Sequence, residues 1–364
     1  MSKPRSSRAT KAPPAAAAPA VPPAAPRPIS SVHSLRRHLQ GALELEHATI
    51  PPYLCALYSI PDGANVTAGA LIRSVVMEEM LHMVLAANLL NAVGGTPRVH
   101  HRKFIPAYPT YLPFSDQSFL VELLPFSRRA LDTFLRMEKP AKPHAKPEPG
   151  DSPTIGQFYE AILEAFHRLE HHAKKRGETI FTGPRRLQIA GDTWYYGGGG
   201  SPVAVTDLAS ATHAIHEIMD QGEGLDHGIF DGDDQFGQVD ELAHYFRFNE
   251  IHLGRRYQKT DGPTRPPTGA ELPVDWTASY PMSPNPKAAD YVGQPAIHRL
   301  MVDFNRQYTA LLRALDRAFN GEPSALGDAV PIMYDLKYRA QALMAIPSGR
   351  GDGTTVGPGF EFAP

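Results

Sequence analysis

Apolar residues recur every three to four positions over most of this chain, which is the spacing of helices with one buried face. Between residues 31 and 60 they include Leu35, Leu39 and Leu43, and the pattern predicts a helix there. A second helix is predicted over residues 66–93. Further helices are predicted over 126–138, 154–176, 205–222, 239–257, 295–320 and 325–345, and short strands over 179–181 and 188–189.

The first two predicted helices are bounded by residues that cap a helix or turn the chain. Ser30 or Ser31 offers an N-cap hydroxyl, and the Pro-Asp-Gly run at 61–63 is typical of a tight turn. The two prolines at 51–52 are expected to kink the first helix or to split off its last turn, because proline lacks a backbone N–H. The two helices are therefore predicted to form an antiparallel hairpin.

Residues 1–30 differ in composition from the rest of the chain. They contain eight proline, nine alanine and five basic residues, and no acidic residue. Such a composition cannot bury a core, so we expect a disordered tail. The remainder, residues 31–362, is expected to form a single domain with two long irregular insertions, 97–150 and 177–202, which are rich in proline, glycine and aromatic residues.

The overall composition excludes several classes of protein. A single cysteine, Cys55, excludes a disulfide scaffold and a cysteine-based metal site. The net charge of −2 gives no basic field for nucleic acid or an anionic membrane, and no run of about 18 apolar residues is present that would span a bilayer. We therefore expect a cytoplasmic protein without nucleic-acid or membrane partners. If a metal is bound, its ligands must come from histidines and carboxylates.

The pair Glu79-x-x-His82 is the strongest candidate for chemistry. Both side chains are predicted on the apolar face of the second helix, where an unpaired carboxylate would cost several kcal/mol. Glu46 lies in the same way on the first helix, and the two glutamates are nearly equidistant from the turn at residue 63. They are therefore expected at the same level of the hairpin, facing one another. Glu78 is expected on the solvated face.

The second half of the chain contains a similar arrangement. Glu241 and His244 form another Glu-x-x-His pair, on the helix predicted over 239–257. Glu223 ends the preceding predicted helix and lies at a matched distance from the loop between the two. Glu217 and Glu160 remain alternatives that would replace Glu223 or Glu241 as a ligand.

Two single glutamates and two Glu-x-x-His pairs are the ligand set of a dinuclear centre in a four-helix bundle. Bridging carboxylates hold two hard cations near one another, and each histidine adds a neutral nitrogen while leaving positions for dioxygen. The predicted cofactor is therefore two iron ions, with manganese as the alternative. A buried Glu–His pair also occurs as a hydrogen-bonded core contact, so a metal-free interaction module is a rival hypothesis.

Several segments of the sequence resemble those of a known family. They are ELEHATIPPYL at 44–54, EEMLHM at 78–83, IGQFYE at 155–160, QGEG at 221–224, HYFRF at 244–248 and GPGFEF at 357–362. Together they resemble the ferritin-like domain of iminophenyl-pyruvate dimer synthases, enzymes of violacein- and rebeccamycin-type pathways. The resemblance implies a metal site on Glu46, Glu79, His82, Glu223 and His244, whereas Glu241 is added by spacing alone.

The fold expected from the pattern and the resemblance is mainly α, a ferritin-like four-helix bundle with additional helices and long irregular insertions. The expected function is that of a non-haem di-iron oxidoreductase, which uses dioxygen or peroxide on a small amino-acid-derived substrate in specialised metabolism. Iron sequestration without an organic substrate is the alternative, although the long insertions argue against a storage cage. The sequence leaves open whether the chain forms a homo-oligomer.

Overall fold

The computed structural model describes residues 29–115, 117–140, 154–191, 199–232 and 240–364. Eight α-helices lie in these ranges: α1 Val32–Ser59, α2 Val66–Ala92, α3 Arg128–Met137, α4 Ile155–Lys174, α5 Leu208–Glu223, α6 His244–Leu253, α7 Pro295–Phe319 and α8 Ala325–Met344. Short 3-10 turns lie at Arg185–Leu187, Leu225–His227 and Ala288–Tyr291. Across the described ranges the chain forms isolated β-bridges and no strands, so the strands predicted at 179–181 and 188–189 are wrong.

Most helices begin and end within a few residues of the predicted bounds, because side-chain caps fix their first turns. Ser31 caps α1, Thr154 caps α4 and Asp207 caps α5, and in each case the side chain accepts a hydrogen bond from the backbone N–H three residues later. The exception is α6, which begins at His244 instead of near residue 239. This late start changes the candidate site.

Helix α1 continues as one helix through the two prolines at 51–52 to Ser59, so of the two expected outcomes, a kink or a split, the split is wrong. Pro52 cannot donate the hydrogen bond that the carbonyl of Ala48 would accept in a regular helix. The Tyr108 hydroxyl donates to that carbonyl instead, at 2.9 Å. A residue of the first insertion thus satisfies the acceptor that the proline leaves open, which stabilises the longer helix.

The helices form a bundle of two hairpins with additional helices around it. The α1–α2 hairpin packs along the α4–α5 hairpin through α1 against α4 and α2 against α5. Helices α3 and α6 pack on one another beside α1 and α2, and the α7–α8 hairpin covers another side of α1 and α2. The predicted mainly helical bundle is confirmed. In the described part of the chain, no helix is long and apolar enough to cross a membrane.

The described parts of the insertions are bound to the bundle by buried polar contacts. The Asn88 side chain on α2 donates to the carbonyls of Ile189 and Val203, at 2.7 and 2.9 Å. Gly199 and Gly200 have positive φ and lie so close to α2 and α5 that a Cβ on Gly200 would be 2.6 Å from a Glu217 oxygen. Outside the described residues lie 192–198 of this insertion, 116 and 141–150 of the other, 151–153 and 233–239, and residues 1–28 of the predicted tail.

Candidate metal centre

Two groups of buried carboxylate and imidazole side chains meet inside the bundle. Glu46, Glu79 and His82 form the first triad, and Glu79, Glu138 and His244 form the second. In each triad, one ligand atom from each residue lies within 4.8 Å of the others, and each side chain is at most 6% exposed. Because Glu79 belongs to both triads, the five residues form one cluster around a shared carboxylate.

Four different elements bring these residues together. Glu46 lies on α1, and its Oε2 is 3.5 Å from Nδ1 of His82 on α2. Glu79 and His82 are one helical turn apart on α2, so their side chains share a face. Glu138 is the C-terminal cap residue of α3, and His244 is the first residue of α6. The antiparallel α1–α2 hairpin therefore supplies the first triad, while α3 and α6 complete the second.

Each histidine has a partner at its outer nitrogen, and the two partners differ in charge. Nε2 of His244 lies 2.9 Å from a Glu78 oxygen, and the other oxygen of Glu78 accepts a 2.6 Å hydrogen bond from buried Arg247. Nε2 of His82 lies 3.0 Å from the amide oxygen of Gln221. Such partners fix the orientation of the ring and direct the inner Nδ1 toward the carboxylates.

A tyrosine binds the outer carboxylate of each triad. The Tyr159 hydroxyl donates to Glu46 at 2.5 Å, and the Tyr53 hydroxyl donates to Glu138. Burial and the neighbouring carboxylates raise the pKa of both phenols well above the ordinary value. Both tyrosines therefore stay protonated and act as hydrogen-bond donors, which leaves the remaining lone pairs of these carboxylates free to face the centre.

The shared carboxylate, Glu79, is buried close to two other carboxylates. Burial and the charges of Glu138 and Glu46 raise the pKa of Glu79 to about 8, although the nearby His244 imidazole opposes the rise. Thr49 also donates a 3.0 Å hydrogen bond to Glu79. Three buried carboxylates at such close range need positive charge between them, either protons or a cation.

The pKa of Glu78 is shifted in the opposite direction, downward. Although burial acts in the other direction, the charge of Arg247 and the hydrogen bond with His244 lower the pKa of Glu78 to about 2. Its side chain is 1% exposed, so the expectation of a solvated face is wrong. The pattern alone missed this because α2 is buried on nearly all sides, including the side that meets Arg247 on α6.

The donor set fits a metal ion. Nδ1 of His244 lies 3.1 Å from a Glu79 oxygen and 3.5 Å from a Glu138 oxygen, yet it forms no well-aligned hydrogen bond with any described residue. A buried imidazole nitrogen without a hydrogen-bond partner, directed between carboxylate oxygens, has the arrangement of a ligand atom. Nitrogen and carboxylate donors suit iron, manganese or zinc.

Two predicted ligands lie away from this cluster. Glu241 precedes α6, in an extended segment whose backbone pairs with that of Asp231 and whose neighbour Leu242 bridges to Phe230. The Glu-x-x-His spacing therefore does not place Glu241 and His244 on one helical face. The Glu241 side chain is 47% exposed and lies 3.2 Å from Arg247.

Glu223 is the last residue of α5, and its side chain lies against the N-terminus of α4. One of its oxygens accepts hydrogen bonds there from the Thr154 hydroxyl and the Gly156 N–H, both at 3.0 Å. A carboxylate at this position stabilises the helix end. The alternatives are not in the triads either: Glu160 is exposed, and Glu217 lies 3.6 Å from His213.

Sequence reasoning missed Glu138, although a usable signal was present. Leu131, Phe134 and Glu138 are spaced as one face of α3, the same pattern of a carboxylate on an apolar stripe that identified Glu46. The charged and proline-rich run that begins at residue 139 hid this signal, because it made the end of α3 resemble a linker.

Comparison with known proteins agrees with the helical bundle. The family model described as ferritin-like matches residues 39–253. The chain belongs to the ferritin-like family. A crystal structure of a ferritin-like protein from Caulobacter vibrioides, determined at 1.95 Å resolution, is similar in fold, with a TM-score of 0.60 and 23% identity over 87% of this chain and 96% of that one.

Two curated relatives are similar to this chain over most of its length. Dichlorochromopyrrolate synthase of Lentzea aerocolonigenes is 26% identical over 92% of this chain, and 2-imino-3-(indol-3-yl)propanoate dimerase of Chromobacterium violaceum is 28% identical over 93%. The predicted resemblance to the iminophenyl-pyruvate dimer synthases is confirmed at this modest identity. The chain spans only about a third of the length of these relatives, since the matches cover 36% and 35% of them.

Proposed function

We propose that this protein is a cytoplasmic ferritin-like oxidoreductase with a dinuclear iron centre, acting on a small amino-acid-derived substrate. The observation that carries the proposal is the pair of buried triads that share Glu79. In the proposed ligand set Glu46 and His82 would hold one ion, Glu138 and His244 would hold the other, and Glu79 would serve both. Glu138 replaces Glu223 and Glu241, which the spacing had predicted as ligands. Bound iron would supply redox chemistry with dioxygen or peroxide, which these side chains alone lack.

The protein's own residues would control the environment of that centre. The five candidate ligands are almost inaccessible to water, which strengthens electrostatic interactions between them and any cation. Tyr53 and Tyr159 donate hydrogen bonds to the outer carboxylates, while Gln221 and Glu78 fix the two imidazole rings. This arrangement keeps the ligand geometry fixed when charge at the centre changes.

A cavity beside Glu138 supports a small organic substrate. It has a volume of about 310 Å³ and is lined by apolar side chains together with Arg136 and Lys139. A small void of about 10 Å³ next to it is lined by Glu138 and shares Met137 and Ile155 with the larger cavity. An aromatic body and an anionic carboxylate, as in an amino-acid-derived acid, match this mixture of apolar and basic lining. Both relatives are named for such compounds, dichlorochromopyrrolate and 2-imino-3-(indol-3-yl)propanoate.

Metal analysis of protein purified from iron-replete cells tests the proposed centre. We expect about two iron ions per chain, less than half of that in Glu79→Ala and Glu138→Ala, and an unchanged content in the matched control Glu223→Gln. A content below about 0.2 ions per chain would contradict the centre and favour a metal-free interaction module.

Turnover tests the proposed activity separately. The iron-loaded protein is given 2-imino-3-(indol-3-yl)propanoate, generated from tryptophan by an amino-acid oxidase, and product formation is followed by mass spectrometry. Reactions with and without catalase are run in parallel, because catalase removes the peroxide that the oxidase forms and that the centre could use. We expect an oxidised product that is lost in Glu138→Ala. A protein that binds iron but converts neither this imine nor other aromatic amino-acid-derived imines or oxo acids would be an iron-sequestering protein instead.

A further inference from the structure

A large cavity among the described residues is separate from the proposed metal centre. It has a volume of about 500 Å³ and lies between α1, α2, α7 and α8. None of the five residues of the two triads lines it, although His47 and Met83, direct neighbours in sequence of Glu46 and His82, do. The cavity therefore lies on the α7–α8 side of the α1–α2 hairpin, and its function does not depend on the proposed iron chemistry.

The wall of this cavity is apolar and adaptable. Eleven leucine, valine and isoleucine residues line it, together with four methionines, Met77, Met80, Met83 and Met333. Methionine side chains are flexible and polarisable, so they adjust to ligands of different shape. A volume of this size is typical of sites for small organic molecules.

Charged side chains lie at the rim and differ in whether they are paired. Lys337 on α8 and Asp62 in the α1–α2 turn form an ion pair, with 3.4 Å between Nζ and Oδ1. Arg73 on α2 also lines the cavity, and its guanidinium has no hydrogen bond or ion pair with any described residue. An apolar cavity with one uncompensated cation at its edge is complementary to a molecule with an apolar body and a single negative group.

We propose that the cavity between α1, α2, α7 and α8 is a second small-molecule site that binds an amphipathic monocarboxylate. The apolar body occupies the methionine-rich interior, and the carboxylate lies at the rim on Arg73. The carboxylate also has access to Lys337 when the pair with Asp62 opens, since that pair is partly exposed and weak.

Binding of decanoate and of its neutral analogue 1-decanol to the full chain tests this site by isothermal titration calorimetry. We expect decanoate to bind at one per chain, with Arg73→Gln weakening it about fivefold and leaving 1-decanol unchanged. The matched control is Arg299→Gln, which removes an exposed cation of α7 that does not line the cavity, and it should have no effect. Equal binding of decanoate by wild type and Arg73→Gln would overturn the assigned carboxylate position.

A blocking variant tests whether the ligand enters the cavity itself. Ala70 is exposed and lines the opening, so Ala70→Phe fills it without disturbing the core, which an unchanged melting temperature verifies. We expect Ala70→Phe to abolish binding of both probes. Retained decanoate binding in this folded variant would overturn the proposal. Conversion of a dimer to a monomer by Ala70→Phe in gel filtration would also overturn it, because a second copy of the chain would then cover the cavity.

Discussion

The most informative single perturbation is the removal of the buried Arg247 guanidinium. Its side chain is 2% exposed and contacts Glu78 at 2.6 Å and Asp231 at 3.2 Å, and it also donates to the Ser74 hydroxyl and the Leu242 carbonyl. Arg247→Met keeps most of the volume but leaves two buried carboxylates without their cation. Breaking a buried ion pair from one side costs about 3–5 kcal/mol.

The pKa of Glu78 gives a second value for the free energy that this ion pair contributes. The difference between about 2 and the ordinary value of 4.5 corresponds to about 3 kcal/mol of preference for the ionised carboxylate in the folded protein. The pKa is lowered by folding, so this stabilisation is present above pH 4.5 and is lost as the pH falls from 4.5 toward 2. The two lines of reasoning agree, and we expect Arg247→Met to lower the free energy of unfolding by about 3–5 kcal/mol at pH 7.

Urea unfolding with a chelator present measures this change without a contribution from metal binding. In the double variant with Glu78→Gln, part of the loss should be recovered, giving a coupling energy above about 1 kcal/mol. The control Arg317→Leu removes an exposed partner of Glu322 and should cost less than about 1 kcal/mol. A loss below about 1 kcal/mol in Arg247→Met, or strictly additive effects in the double variant, would refute the reasoning.

Three further predictions concern separate parts of the molecule. Burial lowers the pKa of His47 to about 3, so below pH 6.5 the unfolded chain takes up a proton that the folded chain does not. Between pH 6.5 and 5 the free energy of unfolding in urea should therefore fall by about 2 kcal/mol more in the wild type than in His47→Phe. Gln221→Leu removes the partner of the His82 ring, and competition with a chelator should show iron affinity about tenfold to a hundredfold lower, whereas unchanged affinity would contradict an orienting role. Gly200→Ala should destabilise the protein by more than about 1 kcal/mol in thermal unfolding, because φ is +96° and the new Cβ would meet Glu217, whereas Gly222→Ala, in α5 with open space around it, should be neutral or stabilising.

The helices were predictable from sequence because each is long and has a regular apolar face. The bounds of α1, α2, α7 and α8 differ from the predicted ones by at most one residue at either end. The site on the α1–α2 hairpin followed from the same regularity, since residues equidistant from a short turn lie at one level. What the pattern could not give was any contact that depends on how separate elements pack, such as the hydroxyl of Tyr108 on the α1 backbone.

The second half of the site shows where spacing fails as evidence. A Glu-x-x-His pair implies a shared face only if both residues are helical, and α6 begins at the histidine. The extended backbone before it is fixed by pairing with residues near Asp231, a contact between segments that no local pattern contains. The carboxylate that completes the second triad comes instead from Glu138, more than a hundred residues earlier in the chain. Helices α3 and α6 pack on one another, and this packing places Glu138 beside His244. No local sequence pattern predicts that contact.

The two triads are similar in their donors but differ in the layer behind them. Each has one histidine, one outer glutamate and one tyrosine bound to that glutamate, with Glu79 in common. Behind His82, however, lies a neutral amide, whereas behind His244 lies an ionised carboxylate held by Arg247. A carboxylate partner makes an imidazole more basic and a stronger ligand. The two metal positions of the proposed centre therefore differ in the strength of their histidine ligand. The Glu78–Arg247 pair that stabilises the fold is also the feature that distinguishes these positions.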